Sequence, residues 1–291
     1  MNIVNLCKNL INKDIVIYPS EGLGDLLYIT ALLPEIRKKN QYSKIKIILS
    51  KPYFKDLLYM FDIFYDEIIE NYSNIKYKSN VNILKNLCKN PSVHFIDGIK
   101  RSLNLSLQSS LYIPELKISK KINEIFKKYK LIENKTFIIA PDSISAVEQI
   151  ADNVWKSYAD NLTELGFTCL FNVKNSERFY PYKNLYLNLS ETLQLISLGK
   201  YFLGYRSGLC DLVAAFTNIN QFVVYPNIKN KKIDYPYIKK SFKNFNEDLY
   251  EYYSLKYIFN EKNIVEFLYD ESTSSINKIL LKNQEEINDV L

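Results

Sequence analysis

Short apolar runs alternate with longer amphipathic segments along most of this chain. Ile15 to Tyr18, Lys44 to Leu49 and Glu67 to Glu70 are brief and rich in isoleucine, and they read as parallel strands. Asp25 to Lys39 carries Leu26, Leu27, Ile29, Leu32, Leu33 and Ile36 at helical spacing, with Pro34 placed to kink or divide the helix. Phe54 to Met60 reads as a short helix, Val81 to Lys89 as a helix and Ser92 to Asp97 as a strand. Ser119 to Lys130 is a charged amphipathic helix, Thr136 to Ala140 a buried strand and Asn153 to Gly166 a helix stopped by its glycine. Strands are expected at Thr168 to Asn172 and Leu185 to Leu187, then a helix from Ser190 to Gly199. Tyr201 to Tyr205 and Gln221 to Tyr225 read as strands around a helix that begins near Leu212. The segment 228–243 is a basic, aromatic loop; Asn263 to Tyr269 reads as a strand and Ser274 to Asn288 as a closing helix.

This rhythm predicts an α/β protein with parallel sheets covered by helices. A length of 291 residues suits two domains. The boundary is expected at Leu131 to Lys135, giving one domain over 1–130 and a second over 131–291.

Two polar crests interrupt the pattern, one in each half. Ile15 to Tyr18 runs into Glu21-Gly22-Leu23-Gly24-Asp25 and then a helix. The strand ending at Tyr205 runs into Arg206-Ser207-Gly208-Leu209-Cys210-Asp211 and then a helix. A strand, a tight polar loop and a helix start suit an anion, because the first N–H groups of a helix have no partner within it and carry partial positive charge. One crest per half predicts a cleft between two α/β domains.

Composition narrows the chemistry. Hydrophobic residues make up 47%, enough for packed cores. The excess of Tyr, Asn, Ile and Lys reads mainly as coding bias. The net charge of +6 suits anionic ligands or an anionic membrane face, and a solvated lysine-rich surface explains it as well. No arginine-rich stripe or nucleic-acid motif stands out, so nucleic acid is not an expected partner. The four cysteines, Cys7, Cys88, Cys169 and Cys210, are scattered without a C-x-x-C pair, which argues against zinc. A single histidine, His94 in an apolar setting, makes a Ser-His-Asp triad hard to build. Neither a signal peptide nor a membrane span is apparent. The expectation is a reduced, cytoplasmic protein, with peripheral attachment to the inner membrane left open.

The stretch from Ile15 to Asp25 resembles the opening strand and Gly-Asp loop of bacterial heptosyltransferases and related GT-B glycosyltransferases. The second half resembles them too: a strand ending Ala140-Pro141, a segment reaching Trp155, a helix after Ser190, then the Arg206 crest, Leu212-Val213-Ala214-Ala215 and a strand to Tyr225-Pro226. In those enzymes the crest is typically Asp-Ser/Thr-Gly with a His before Leu-Ala-Ala; here the first position is Arg206 and the sixth is Asp211. The resemblance implies two Rossmann-like domains facing a cleft, an acceptor in the first and a nucleotide-sugar in the second. It implies transfer of a sugar to a hydroxyl of a glycan or lipid-linked glycan. The departures at Arg206 and Asp211 keep heptose from being carried over.

Each candidate has a structural alternative. Asp25 is either a first-turn acid that complements the helix dipole or, from the family's Gly-Asp loop, the general base on the acceptor hydroxyl. Glu21 is the second choice for base, and Gly22 and Gly24 permit a tight turn and close approach of substrate. Arg206, Ser207 and Gly208 either hold a diphosphate or form a cap and an internal ion pair. Asp211 holds a sugar hydroxyl or orders Arg206. Ser143 and Ser145, and more weakly Glu148, lie just past a strand end, where they reach a donor or shape a turn. Trp155 reads as core. No Asp-x-Asp motif is present, consistent with a transferase that needs no metal or cofactor beyond the nucleotide-sugar. A nucleotide-sugar epimerase on the same fold and a non-catalytic nucleotide or glycan module are the competing readings.

Overall fold

A computed structural model describes residues 14–19, 22–61, 65–70, 81–82, 94–143, 150–225, 254–259 and 263–269. The described residues divide into two compact units, one ending at Pro114 and the other beginning at Glu115.

In the first unit four parallel strands, β1 (Ile15–Tyr18), β2 (Ile45–Leu49), β3 (Glu67–Glu70) and β4 (Val81–Asn82), lie in the order β3-β2-β1-β4. Ile17 is the common register point, opposite Ile47 on one side and Val81 on the other. Helix α1 (Leu23–Ala31) follows β1 and buries every residue from Leu26 to Ala31. Pro34 acts as the sequence implies: α1 ends, Leu32 forms a turn, and α2 (Leu33–Lys39) restarts with the proline in its first turn. Helix α3 (Phe54–Met60) follows β2.

Two expectations fail in this unit. Val81 and Asn82 pair as strand with Ile17 and Tyr18 instead of opening a helix; the rest of that expected helix lies outside the described residues. Ser92 and Val93 of the expected strand at Ser92 to Asp97 lie outside the described residues, and Phe95 to Asp97 instead open α4 (Phe95–Ser102), with His94 as its N-cap residue. Phe95, Ile96 and Ile99 are its buried face, and Phe95 packs edge-on against Tyr28 of α1 at 5.7 Å. This tertiary contact outweighs the strand-like look of Val-His-Phe-Ile.

The second unit holds six parallel strands: β5 (Thr136–Ala140), β6 (Thr168–Phe171), β7 (Lys183–Asn184), β8 (Lys200–Tyr205), β9 (Asn220–Tyr225) and β10 (Ile264–Leu268). Their order is β10-β9-β8-β5-β6-β7. Counted within the unit this is 6-5-4-1-2-3, the doubly wound arrangement whose order reverses between its first and fourth strands. Helices α5 (Lys120–Lys128), α6 (Asp152–Glu164), α7 (Leu189–Gly199), α8 (Gly208–Phe216) and the short α9 (Leu255–Phe259) accompany the sheet. Phe137, Trp155, Tyr158, Leu162, Phe171 and Leu203 share one buried cluster, so Trp155 is core as expected.

Among the described residues the two compact units part between Pro114 and Glu115, ahead of α5. Helix α5 buries Ile122 and Phe126. The N–H of Ser119, just before it, donates to Oε1 of Gln194 on α7 at 2.8 Å, and Lys121 pairs with Glu191. These contacts bind the helix to the second unit. The expected strand at Leu185 to Leu187 also moves: β7 is a two-residue edge strand that pairs Lys183 and Asn184 with Leu170 and Phe171. The expected helix at Ser274 to Asn288 and the loop at 228–243 lie outside the described residues.

Candidate active site

Ligands of open α/β sheets bind beyond the carboxyl ends of the strands, where the strand order reverses. In the second unit that point lies between β5 and β8. Pro141, Asp142 and Ser143 follow β5; Arg206, Ser207 and Gly208 follow β8. The structure brings the two predicted groups together. The Ser143 hydroxyl, on a residue only 3% exposed, donates to the carbonyl oxygen of Arg206 at 3.0 Å across the reversal.

The crest itself is braced from inside. The Arg206 N–H continues the sheet ladder to the Val224 carbonyl at 2.8 Å. Its guanidinium forms a two-point contact with Asp211: Nη1 to Oδ2 at 2.6 Å and Nη2 to Oδ1 at 2.8 Å. Nη1 also donates to the Ser207 carbonyl at 2.8 Å, and the guanidinium carbon lies 6.0 Å from the ring centre of Tyr225. Asp211 is buried at 3% exposure, and Arg206 is largely covered at 13%. Of the two roles open to Asp211, the geometry realises the ordering of Arg206.

Ser207 is the N-cap residue of α8 in extended backbone, yet its hydroxyl makes no capping hydrogen bond. It lies 4.0 Å from Cys210 Sγ. Gly208 is the first helical residue, so the crest offers a hydroxyl beside the N–H groups of a helix start. Gly204 permits this helix to pack onto β8. A Cβ there would meet the Phe202 ring at 2.5 Å and Cys210 Sγ at 3.2 Å. Cys210 is a buried filler, as read from sequence, and burial pushes its thiol up to about 11. Below the crest, Gln221 donates from β9 to the Cys210 carbonyl at 2.9 Å. Tyr225, held far above its usual range by burial, donates to Glu266 on β10 at 2.5 Å.

In the first unit the candidate base sits at a helix start. Asp25 lies in the first turn of α1, behind Gly22 as N-cap. The carboxylate folds back over that glycine: a Cβ on Gly22 would stand 2.9 Å from Oδ2 and 3.3 Å from Cγ. Gly22 therefore leaves room for Asp25, and the dipole of α1 favours a negative charge there. Gly24 lies inside the first helical turn, not in the turn before it, because α1 begins at Leu23. Glu21, Ser145 and Glu148 lie outside the described residues.

No motif or spacing in the sequence singles out Arg178. It sits in the connection after β6 and grips two carboxylates. Nη1 donates to both oxygens of Asp142 at 2.7 and 2.9 Å. Nε donates to both oxygens of Asp152 at 3.2 and 3.0 Å, and Nη2 to Oδ1 at 2.7 Å. These contacts raise the guanidinium pKa further, the Asp152 hydrogen bonds most. Its partners stand 36 and 26 positions away, and only the fold brings them together.

No family model matches the sequence, and no curated protein matches it significantly. Solved structures do. ADP-heptose lipopolysaccharide heptosyltransferase II of E. coli aligns at TM-score 0.58 and 12% identity, covering 95% of this chain and 99% of that one. A family 9 glycosyltransferase of Veillonella parvula gives 0.57 and 12% over 95% and 97%. The E. coli heptosyltransferase WaaC, solved with ADP, gives 0.57 and 11% over 94% and 100%. The chain has the fold of these glycosyltransferases. Its two parallel α/β units are of the GT-B type that the resemblance implied. At this identity the likeness concerns the backbone path and leaves the side chains of the site to be argued from their own geometry. Among the described residues no group of three His, Cys, Asp or Glu side chains is placed to hold a metal ion, and no helix is long and apolar enough to cross a membrane.

Proposed function

We propose that this protein is a glycosyltransferase that moves a sugar from a nucleotide-sugar donor to a hydroxyl of a bacterial surface glycan, in lipopolysaccharide, capsule or a glycoprotein. The observation that carries the reading is the crest where the second sheet reverses its strand order. There Ser143, the Ser207 hydroxyl and the start of α8 converge between β5 and β8. The donor diphosphate takes the Ser207 hydroxyl and the amides of the helix start. Arg206, its charge balanced by Asp211, holds the Ser207 carbonyl in place, so the crest is organised before the ligand arrives.

Transfer needs one proton acceptor. The acceptor oxygen bonds to the anomeric carbon of the donor, the bond from that carbon to the phosphate oxygen breaks, and the nucleoside diphosphate leaves with the electron pair. Asp25 takes the hydroxyl proton. The reading invokes no metal and no cofactor beyond the donor; helix N–H groups and the crest stabilise the leaving group. A lipid-linked acceptor would draw the protein to the inner face of the membrane, from the cytoplasmic side.

Calorimetric titration with UDP, GDP, ADP and CDP and their common sugars, followed by transfer assays, tests this. One nucleotide family should bind, Ser207→Ala should weaken that binding, and Asp25→Ala should abolish transfer while leaving donor affinity nearly intact. Absence of binding by every nucleotide overturns the reading. Conversion of the donor with no acceptor present would make the protein an epimerase. Full transfer by Asp25→Ala would remove that residue from the base role.

A further inference from the structure

We infer that Arg178 is a positioning residue for the donor site: it fixes the end of β5, and through Ser143 the crest, without touching the ligand. This rests on the donor-binding reading of the crest given above.

The geometry forms one continuous strip along the carboxyl edge of the second sheet. At one end Phe171, the last residue of β6, stacks on Phe179 with ring centres 4.0 Å apart and planes 8° from parallel. The Arg178 guanidinium lies over the Phe179 ring, 4.8 Å from its centre. From that platform its Nη1 holds both oxygens of Asp142, two residues beyond the end of β5. Its Nε and Nη2 hold Asp152, the first residue of α6. The start and finish of the connection between β5 and α6 are thus tied to one rigid, planar cation. Ser143 follows Asp142 directly and reaches across to the Arg206 carbonyl. Arg206 is in turn held by Asp211. The strip therefore runs β6, Arg178, Asp142, Ser143, Arg206, Asp211, and the proposed diphosphate site lies at its crest end.

Two features set Arg178 apart from an ordinary surface ion pair. Its contact with Asp152 is two-point, Nε and Nη2 each on a carboxylate oxygen, the strong geometry for guanidinium and carboxylate, while Nη1 alone spans both oxygens of Asp142. The two residues it joins also lie at opposite ends of the connection between β5 and α6, so releasing it loosens the backbone that carries Ser143. Exposure of 28% for Arg178, against 53% and 45% for its partners, means that the clamp adds little to global stability. Its effect should appear in the site, because the cost of ordering Ser143 is otherwise met when the ligand binds.

The experiment measures nucleoside diphosphate affinity by calorimetry for wild type, Arg178→Ala, Arg178→Lys, Ser143→Ala and the double variant Arg178→Ala with Ser143→Ala. Thermal melts of each variant provide the folding control. Arg178→Ala should weaken binding about tenfold, the scale of one ordered residue. Arg178→Lys, able to grip one carboxylate at a time, should recover part of that loss. The double variant should bind no more weakly than the weaker single variant, because the two residues act in series. Two independent, additive losses would overturn the inference, as would unchanged affinity in Arg178→Ala; either leaves the donor reading intact. Failure of the wild-type protein to bind any nucleoside diphosphate overturns the donor reading, and this inference with it.

Discussion

Asp211→Ala is the sharpest perturbation of the crest. The substitution removes both oxygens that Arg206 holds at 2.6 and 2.8 Å and leaves the guanidinium inside the protein. The side chains are 13% and 3% exposed, so water reaches the orphaned charge poorly. Each hydrogen bond to a charged group contributes about 1.5–3 kcal/mol. Removing one partner of a buried pair costs about 3–5 kcal/mol. Arg206 keeps its bond to the Ser207 carbonyl and the face of Tyr225, which places the expected loss at the low end, about 3 kcal/mol.

The readout is built into the chain. Its single tryptophan, Trp155, is fully buried in the second unit. It packs edge-on to Tyr205, the residue before Arg206, with ring centres 6.4 Å apart. Urea unfolding followed by tryptophan emission therefore reports the unit that contains the pair. In a thermal melt the same loss lowers Tm by about 6–12 °C for a unit of this size. Replacing both partners, with Arg206→Met and Asp211→Leu, should restore most of the stability while leaving nucleotide binding impaired, since a buried pair contributes less than it costs to break. A loss below about 1 kcal/mol in Asp211→Ala would refute the reasoning, because that is the value of a solvated surface pair.

Three further outcomes follow from the packing and the titrating groups. Gly22→Ala places a methyl 2.9 Å from the Asp25 carboxylate, which must swing away; transfer should fall at least about tenfold while the melt moves by less than about 1 kcal/mol. Gly204→Ala drives a methyl into the Phe202 ring at 2.5 Å and should destabilise the second unit by about 1–3 kcal/mol in urea. Burial lifts Cys169 to about 12 and Cys210 to about 11, above their usual 9.0, while Tyr182 rises to about 12. Above pH 9 the unfolded chain therefore holds fewer protons on these groups than the native one, so the stability they contribute falls as pH rises from about 9 to 12. Urea midpoints across that range check the sign, and in native protein at pH 8 iodoacetamide should leave both thiols unmodified, as peptide mass spectrometry would show.

The parts of the fold that were legible in the sequence are those set by local physics. Pro34 divides a helix because its ring prevents continuation, whatever surrounds it. Gly166 takes the left-handed conformation, at φ 85°, after α6. The crest at Arg206 was legible because a strand, a Ser-Gly pair and a helix start are contiguous in the chain. What was not legible depends on distant partners. Val81 and Asn82 become strand because β1 offers them a free edge at Ile17 and Tyr18. Phe95 starts a helix because Tyr28 receives its ring. Helix α5 joins the second unit through Gln194 and Glu191, more than 60 positions ahead. Arg178 escaped notice for the same reason, as its partners lie in other segments.

The pairing of Arg206 with Asp211 also changes how the crest's departure from the heptosyltransferase pattern is understood. That pattern places an acid first and a histidine sixth. Here a base stands first and an acid sixth, at the same separation. Read one residue at a time, both substitutions look like lost function. In the fold they compensate, since the guanidinium and the carboxylate meet in a buried two-point contact that fixes Ser207 through its carbonyl. A donor approaching this crest meets a neutral hydroxyl and helix amides, with the arginine's charge already balanced by Asp211. The groups that recognise its sugar must then come from elsewhere on the rim. Among the described residues past β5, Asp142 and Asp152 are charged, held by Arg178, with carboxylates 53% and 45% exposed. On the proposed donor reading, a sugar that donates hydroxyls to carboxylates fits that rim better than one that carries its own negative charge, so a donor screen should rank neutral hexoses ahead of uronic or sialic acids.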